Sequence, residues 1–177
     1  MKSVSKIISE SLQTKNADSV YQFSNLFYSP SLPKTTLRFI ERCFTIVSDN
    51  VSFIHSEYNS LLKILASSEL SITSEIEVFE VADRWLNYNT KERSKYSKSL
   101  LTKVRLHLLS NETVRRLLIS STYFKKDDSC VKFLNKFLDC NKGYVLKKSS
   151  IHDSNRYCNQ NSFKIVVCVR NYSVWWI

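Results

Sequence analysis

Residues 74–86 read Ser74-Glu75-Ile76-Glu77-Val78-Phe79-Glu80-Val81-Ala82-Asp83-Arg84-Trp85-Leu86, a helix start and a buried face in one stretch. Ser74 with Glu77 three residues on has the spacing of a capping box, in which each side chain takes a backbone N–H that the first turn leaves unsatisfied. Glu75, Glu77 and Glu80 put negative charge at the positive end of the helix dipole. Val78, Phe79, Ala82, Trp85 and Leu86 then recur at steps of three and four, which is one apolar helix face. Trp85 continues that face, so it reads as a core anchor rather than a ligand contact.

The same period extends in both directions. On the N-terminal side, Glu57 to Leu65 has Tyr58, Leu61, Leu62 and Leu65 as its buried stripe, after a short apolar piece, Val51 to Ile54. Before that, Pro33 stands just inside a helix, where its missing N–H costs nothing, and Leu37, Ile40, Cys43, Phe44 and Val47 follow. Asp18 starts an earlier helix with Val20, Phe23, Leu26 and Phe27 on one side, ended by Ser29-Pro30-Ser31. A first short segment runs from Val4 to Leu12. On the C-terminal side, Lys91 to Val104 reads as one helix presenting Tyr96, Leu100, Leu101 and Val104. The alternation Val104-Arg105-Leu106-His107-Leu108 reads as an extended connector. Ser110 caps a helix with Val114, Leu117 and Leu118 inward, and Asp127 or Asp128 opens another with Val131, Leu134, Phe137 and Leu138 inward.

Composition agrees with this. The chain has 177 residues, 43% hydrophobic and 12% aromatic, with a single glycine, Gly143, and two prolines, Pro30 and Pro33. Hairpin turns, propeller blades and phosphate-cradling loops draw on glycine. A chain so poor in it is expected to be all-α, an array of short antiparallel helix pairs sharing a core. Residues 147–162 turn polar, and Lys164-Ile165-Val166-Val167-Cys168-Val169 is the one strand-like run.

The same features narrow the chemistry. One glycine excludes a nucleophile elbow, a P-loop and a dinucleotide-binding turn. His55, His107 and His152 stand apart from any nucleophile–base arrangement, and the carboxylate pairs Glu75/Glu77 and Asp127/Asp128 fall where helices start, which capping explains. No catalytic, cofactor-binding or metal-ligating residue is assigned. The five cysteines (Cys43, Cys130, Cys140, Cys158, Cys168) have no zinc-binding spacing and read as reduced thiols of a cytoplasmic protein. The longest apolar stretch, Ile165 to Val169, is too short to span a membrane. Of the net charge of +10, residues 91–150 carry all ten units of excess, with fifteen basic and five acidic groups. Their lysines are scattered singly between apolar positions, which describes a solvated helical face better than a nucleic-acid-binding stripe. Arg115-Arg116-Leu117-Leu118 can be read as a docking motif, but an amphipathic helix explains it equally.

Three features in order now identify a resemblance. Leu61-Leu62-Lys63-Ile64-Leu65-Ala66-Ser67-Ser68-Glu69-Leu70, the acid-capped Ser74–Trp85 helix, and Glu92-Arg93 followed by Leu100-Leu101 and Val104-Arg105-Leu106-His107-Leu108-Leu109-Ser110 resemble the BACK domain of BTB–BACK–Kelch proteins. His107 stands where that pattern usually has proline. Asn16–Val20 and Phe39–Phe44 look like its opening helices. The resemblance implies a substrate adaptor of a cullin-3 ubiquitin ligase. In that family a BTB domain dimerises and binds cullin-3, the BACK domain acts as spacer, and a Kelch propeller captures protein substrates for ubiquitination.

On this reading residues 1–14 are a remnant of the BTB C-terminal end, 15–140 the BACK domain, 141–162 a linker, and 163–177 the truncated start of a propeller. Val169-Arg170 stands where the family has a Gly-Gly pair. The expected function is a non-catalytic spacer whose cullin-3 contact is weak or lost without the BTB domain. The alternative is a standalone helical protein-interaction module with no ligase role, in which an uncovered Phe23, Leu26 and Phe27 would favour self-association. Neither reading calls for a cofactor, a nucleic acid or a membrane.

Overall fold

The computed structural model describes residue 8, residues 10–26 and residues 31–140. Among these the chain is all-α, with helices and short 3-10 turns and no β-strand. The helices are α1 (Ala17–Ser24), α2 (Ser31–Arg42), α3 (Phe44–Ser48), α4 (Tyr58–Ala66), α5 (Glu75–Tyr88), α6 (Thr90–Arg93), α7 (Ser97–Leu101), α8 (Asn111–Ser120) and α9 (Asp128–Cys140). Short 3-10 turns cover Val51–His55, Ser94–Tyr96, Leu106–Leu108 and Phe124–Lys126. The expected linker and strand-like run lie outside the described residues. So do most of the Val4–Leu12 segment, Phe27, and the Ser29-Pro30 part of the expected break.

All the helices except α6 give buried apolar side chains to a single cluster. α5 occupies its middle, with Val78, Phe79, Val81, Ala82, Trp85 and Leu86 buried. Full burial of each larger side chain contributes about 1.5–3 kcal/mol, against the conformational entropy of ordering the chain. Phe79 meets Phe124 at a centroid distance of 4.8 Å, and Phe44 meets Phe53 edge-on at 6.3 Å. These contacts join α5 to the last third of the chain and α3 to the turn that follows it.

Four local expectations change. α1 buries Ala17, Asp18, Tyr21 and Ser24, whereas Phe23 and Leu26 are 47% and 79% exposed and Val20 is half-buried. The inward stripe is built from small residues that allow close approach to α2, a tyrosine, and an aspartate that accepts from Ser52 Oγ (3.1 Å). A count of large apolar residues misses such a face. The expected helix over 91–104 is broken into α6, a 3-10 turn and α7. Ser94, Ser97 and Ser99 are weak helix formers, and the Ser97 hydroxyl donates to Asp127 (2.7 Å) while Ser99 meets the Tyr58 hydroxyl (2.8 Å).

The 104–108 segment is not an extended connector: Leu106–Leu108 is a 3-10 turn. The Arg105 N–H is taken by the Glu75 carboxylate (3.1 Å), and the Leu108 and Leu109 amides donate locally to the Arg105 and Leu106 carbonyls. Ser74 does cap α5, accepting from the Ile76 amide (3.3 Å), but Glu77 reaches the amide and hydroxyl of Thr73. The reciprocal half of the capping box is displaced by one residue. Ser110 and Asp127 sit at their helix starts as expected, accepting from the amides of Thr113, and of Ser129 and Cys130.

Candidate protein-interaction surface

α5 and the residues just after it tie the array together. Asp83 is buried on α5, and each of its oxygens accepts two hydrogen bonds: Oδ2 from the amide and hydroxyl of Thr122 (2.7 Å each), Oδ1 from the amides of Tyr123 and Phe124 (2.9 Å each). A carboxylate so satisfied fixes the loop that leads into α9. Glu75, fully buried, holds Arg105 in the same manner.

Trp85, 3% exposed, donates from Nε1 to the Ser56 carbonyl (2.9 Å), as an amphipathic ring should when buried. The Arg93 guanidinium lies 4.0 Å from the Trp85 ring and donates from Nη1 to the carbonyls of Ile54 and Trp85 (2.8 Å each). Burial lowers the Arg93 pKa while Tyr88 and Glu92 pull it back up. Tyr58 and Tyr96 stack at 3.8 Å. Through these contacts the chain between α3 and α4, α5, α6 and α7 forms one connected body.

The carboxylates that could suggest acid–base chemistry are engaged. Burial pushes the Asp127 pKa up, but hydrogen bonds from Ser129, Ser97 and the Cys130 and Ser129 amides outweigh it, bringing it down to about 2. Glu77 is likewise lowered: burial opposes ionisation, and the bonds from Thr45, Thr73 and the backbone outweigh it. His107 is exposed at the 106–108 turn, and His55 packs edge-on against Tyr88 at 5.0 Å. Two shallow furrows of about 420 and 410 Å³ adjoin at Asn87. The only carboxylates lining them besides Glu80 are Asp127 and Asp83, already saturated with donors. Cys43 is half-buried and Cys130 buried, and no group of three or more metal-binding side chains assembles among the described residues. None of the described helices is long and apolar enough to cross a membrane.

What the fold does present outward is the far side of α1. Its inner stripe is Ala17, Tyr21 and Ser24, so Ser19 and Phe23 fall on the opposite face, and the exposed Leu26 follows in the turn after the helix. Its flank is fixed to the 50–57 segment. The Glu57 amide donates to Gln22 Oε1 (3.1 Å), Ser52 donates to Asp18, and Asn50 Nδ2 donates to the Thr14 carbonyl (2.9 Å). Val51 on that segment is 82% exposed. Burial raises the Tyr21 pKa, Asn25 opposes the rise and Glu41 adds to it. Arg115 and Arg116 are exposed while Leu117 is buried and Leu118 half-buried, the pattern of an amphipathic helix.

Sequence reading missed Asp83 and Arg93 as structural ties, and it read Asp127 as a cap without its bonds from Ser97 and Tyr123. Asp83 did give a signal, as an acidic residue directly after Ala82 on the apolar side of α5. Arg93 gave none beyond its place in the Glu92-Arg93 pair.

The described residues therefore form an all-α domain whose buried carboxylates are spent on internal ties. The family model described as BACK (BTB And C-terminal Kelch) matches residues 18–119. The chain belongs to the BACK family. It is 29% identical over 142 residues to the mouse Kelch repeat and BTB domain-containing protein 3, covering 80% of this chain and 23% of that protein. It is 34% identical over 104 residues to the human Kelch repeat and BTB domain-containing protein 2, covering 59% and 17%. Against the mouse Kelch-like protein 28 the identity is 27% over 138 residues, covering 78% and 24%. The chain spans about a quarter of the length of these curated relatives or less.

Proposed function

We propose that this chain is a non-catalytic spacer of a cullin-3 substrate adaptor, in which the outer face of α1 meets the cullin and the body around α5 transmits a fixed geometry toward the substrate-binding side. Family membership supports the adaptor role. The single observation that carries the cullin-facing part is the exposure of Phe23 on a helix whose other face packs against α2, and of Leu26 in the turn just after it. Exposed apolar side chains on an otherwise anchored element mark an interaction site. Residues 15–140 form the spacer domain in this reading, and substrate choice belongs to a Kelch propeller, as in the relatives' architecture. Catalysis has no part in this reading: Asp83, Glu77 and Asp127 are committed to backbone amides and hydroxyls.

A pull-down with the N-terminal region of cullin-3 tests the proposal. Weak retention of the chain at tens of micromolar, and its loss in the Phe23→Asp, Leu26→Asp double variant with an unchanged circular-dichroism spectrum, is the expected result. Equal retention of the variant would remove α1 from the interface. The second reading, a helical module that binds its own copies, draws on the same exposed pair. It predicts a dimer in size-exclusion with light scattering that the double variant abolishes.

A further inference from the structure

We propose that the surface formed by α8, the Phe124–Lys126 turn and α9 is a docking site for an acidic segment of another protein. Burial has sorted the charges of this chain by sign. Among the described residues Asp18, Glu41, Glu75 and Asp83 are buried and no lysine or arginine is. Exposed cations consequently outnumber exposed carboxylates by fifteen to nine, an excess that the formal charges of the same residues understate.

Part of the excess lies on three neighbouring elements. Arg115 and Arg116 on α8, Lys125 and Lys126 in the turn, and Lys132 and Lys136 on α9 are all exposed. These three elements pack on one another in succession. None of the six cations forms an ion pair among the described residues; the ion pair seen, between Arg84 and Asp49 (3.5 Å), lies elsewhere. Residues 113–126 contain no acidic residue, and neither do residues 129–138. Between the two stretches, Asp127 is turned inward as the cap of α9, so the exposed acids there are Asp128 at the junction and Glu112 and Asp139 at the margins. Ile119, 75% exposed on α8, adds one apolar contact.

The occupant follows from what this surface has and lacks. Residues 141–177, with six basic groups and one acidic group, and residues 1–7, with two basic groups and none acidic, do not complement its charge. A second copy offers no matching strip, since its exposed carboxylates, such as Glu57, Glu69 and Glu80, stand singly on separate turns. Single-stranded nucleic acid is gripped by exposed aromatic faces, and here Tyr123 and Phe124 are buried and Phe133 and Phe137 half-buried. A membrane surface would need a broad apolar face to insert, and Ile119 stands alone. An acidic protein segment needs only the complementary cations.

The test uses the full chain and a fluorescein-labelled glutamate-rich peptide containing leucines, followed by anisotropy at low and rising salt. Binding should weaken steeply as salt is added. Charge reversal of Arg115, Arg116, Lys132 and Lys136 to glutamate should weaken it by roughly tenfold or more, because each exposed pair contributes modestly and four are removed. Lys125→Gln with Lys126→Gln, confined to the exposed turn, gives a smaller loss and serves if the fourfold variant does not fold. Three results would overturn the proposal: no binding at low salt, equal binding by both variants, or tighter binding to a labelled oligothymidine or to phosphatidylserine vesicles.

Discussion

At the scale of single residues, several carboxylates of this chain act as backbone caps. Asp83 is the strongest case: three amides and a hydroxyl converge on it, and its bonds to the Tyr123 and Phe124 amides are buried. Asp83→Ala leaves those two amides buried without acceptors and should destabilise the protein by about 2 kcal/mol or more, read as a fall in the urea midpoint. Asp127 makes a pH-dependent contribution. Its folded pKa, about 2, lies below the usual 3.8, so the stabilisation is present above the unfolded value and is lost as pH falls from near 4 through 2. An acid titration of stability should show this loss in the native chain, and Asp127→Asn should remove that part of the slope. Ser56 behaves oppositely. Its carbonyl holds Trp85 while its buried hydroxyl has no hydrogen-bond partner among the described residues, so Ser56→Ala should leave the melting temperature unchanged or raise it.

At the scale of elements, starts were legible in the sequence and interiors less so. Ser110 was readable as a cap because a short acceptor side chain before an apolar period has few other uses. Ser110→Ala should cost about 1 kcal/mol, measured by denaturant unfolding. The face of α1 was not readable, because its inner stripe of Ala17, Asp18, Tyr21 and Ser24 carries little hydrophobic signal. The breaks within 90–104 were hidden for a related reason. They are set by tertiary partners, the Ser97–Asp127 and Tyr58–Ser99 hydrogen bonds, which no local period records. Likewise the 104–108 turn depends on Glu75, thirty residues away. Arg93 belongs to this scale too. It joins the end of the 51–55 turn to α5 through two carbonyls and the Trp85 face, and a lysine cannot reproduce that planar fork. Arg93→Lys should therefore lower stability by about 1 kcal/mol without altering helix content by circular dichroism.

At the scale of the whole molecule, the all-α class followed from the scarcity of glycine and the helical period. The BACK assignment followed from the order of the leucine run, the tryptophan helix and the Val104–Ser110 segment, and the family match over residues 18–119 agrees with it. A body tied through α5, with Phe23 exposed on α1, Leu26 exposed just after it and exposed cations on α8 and α9, has the connected core that the proposed spacer role asks for. Hydrogen exchange of the full chain with and without the N-terminal region of cullin-3 tests this account most directly. Added protection should fall on residues 17–26 and on the 50–57 segment, with α8 and α9 unchanged. Unaltered exchange throughout α1, or protection confined to α8 and α9, would contradict it.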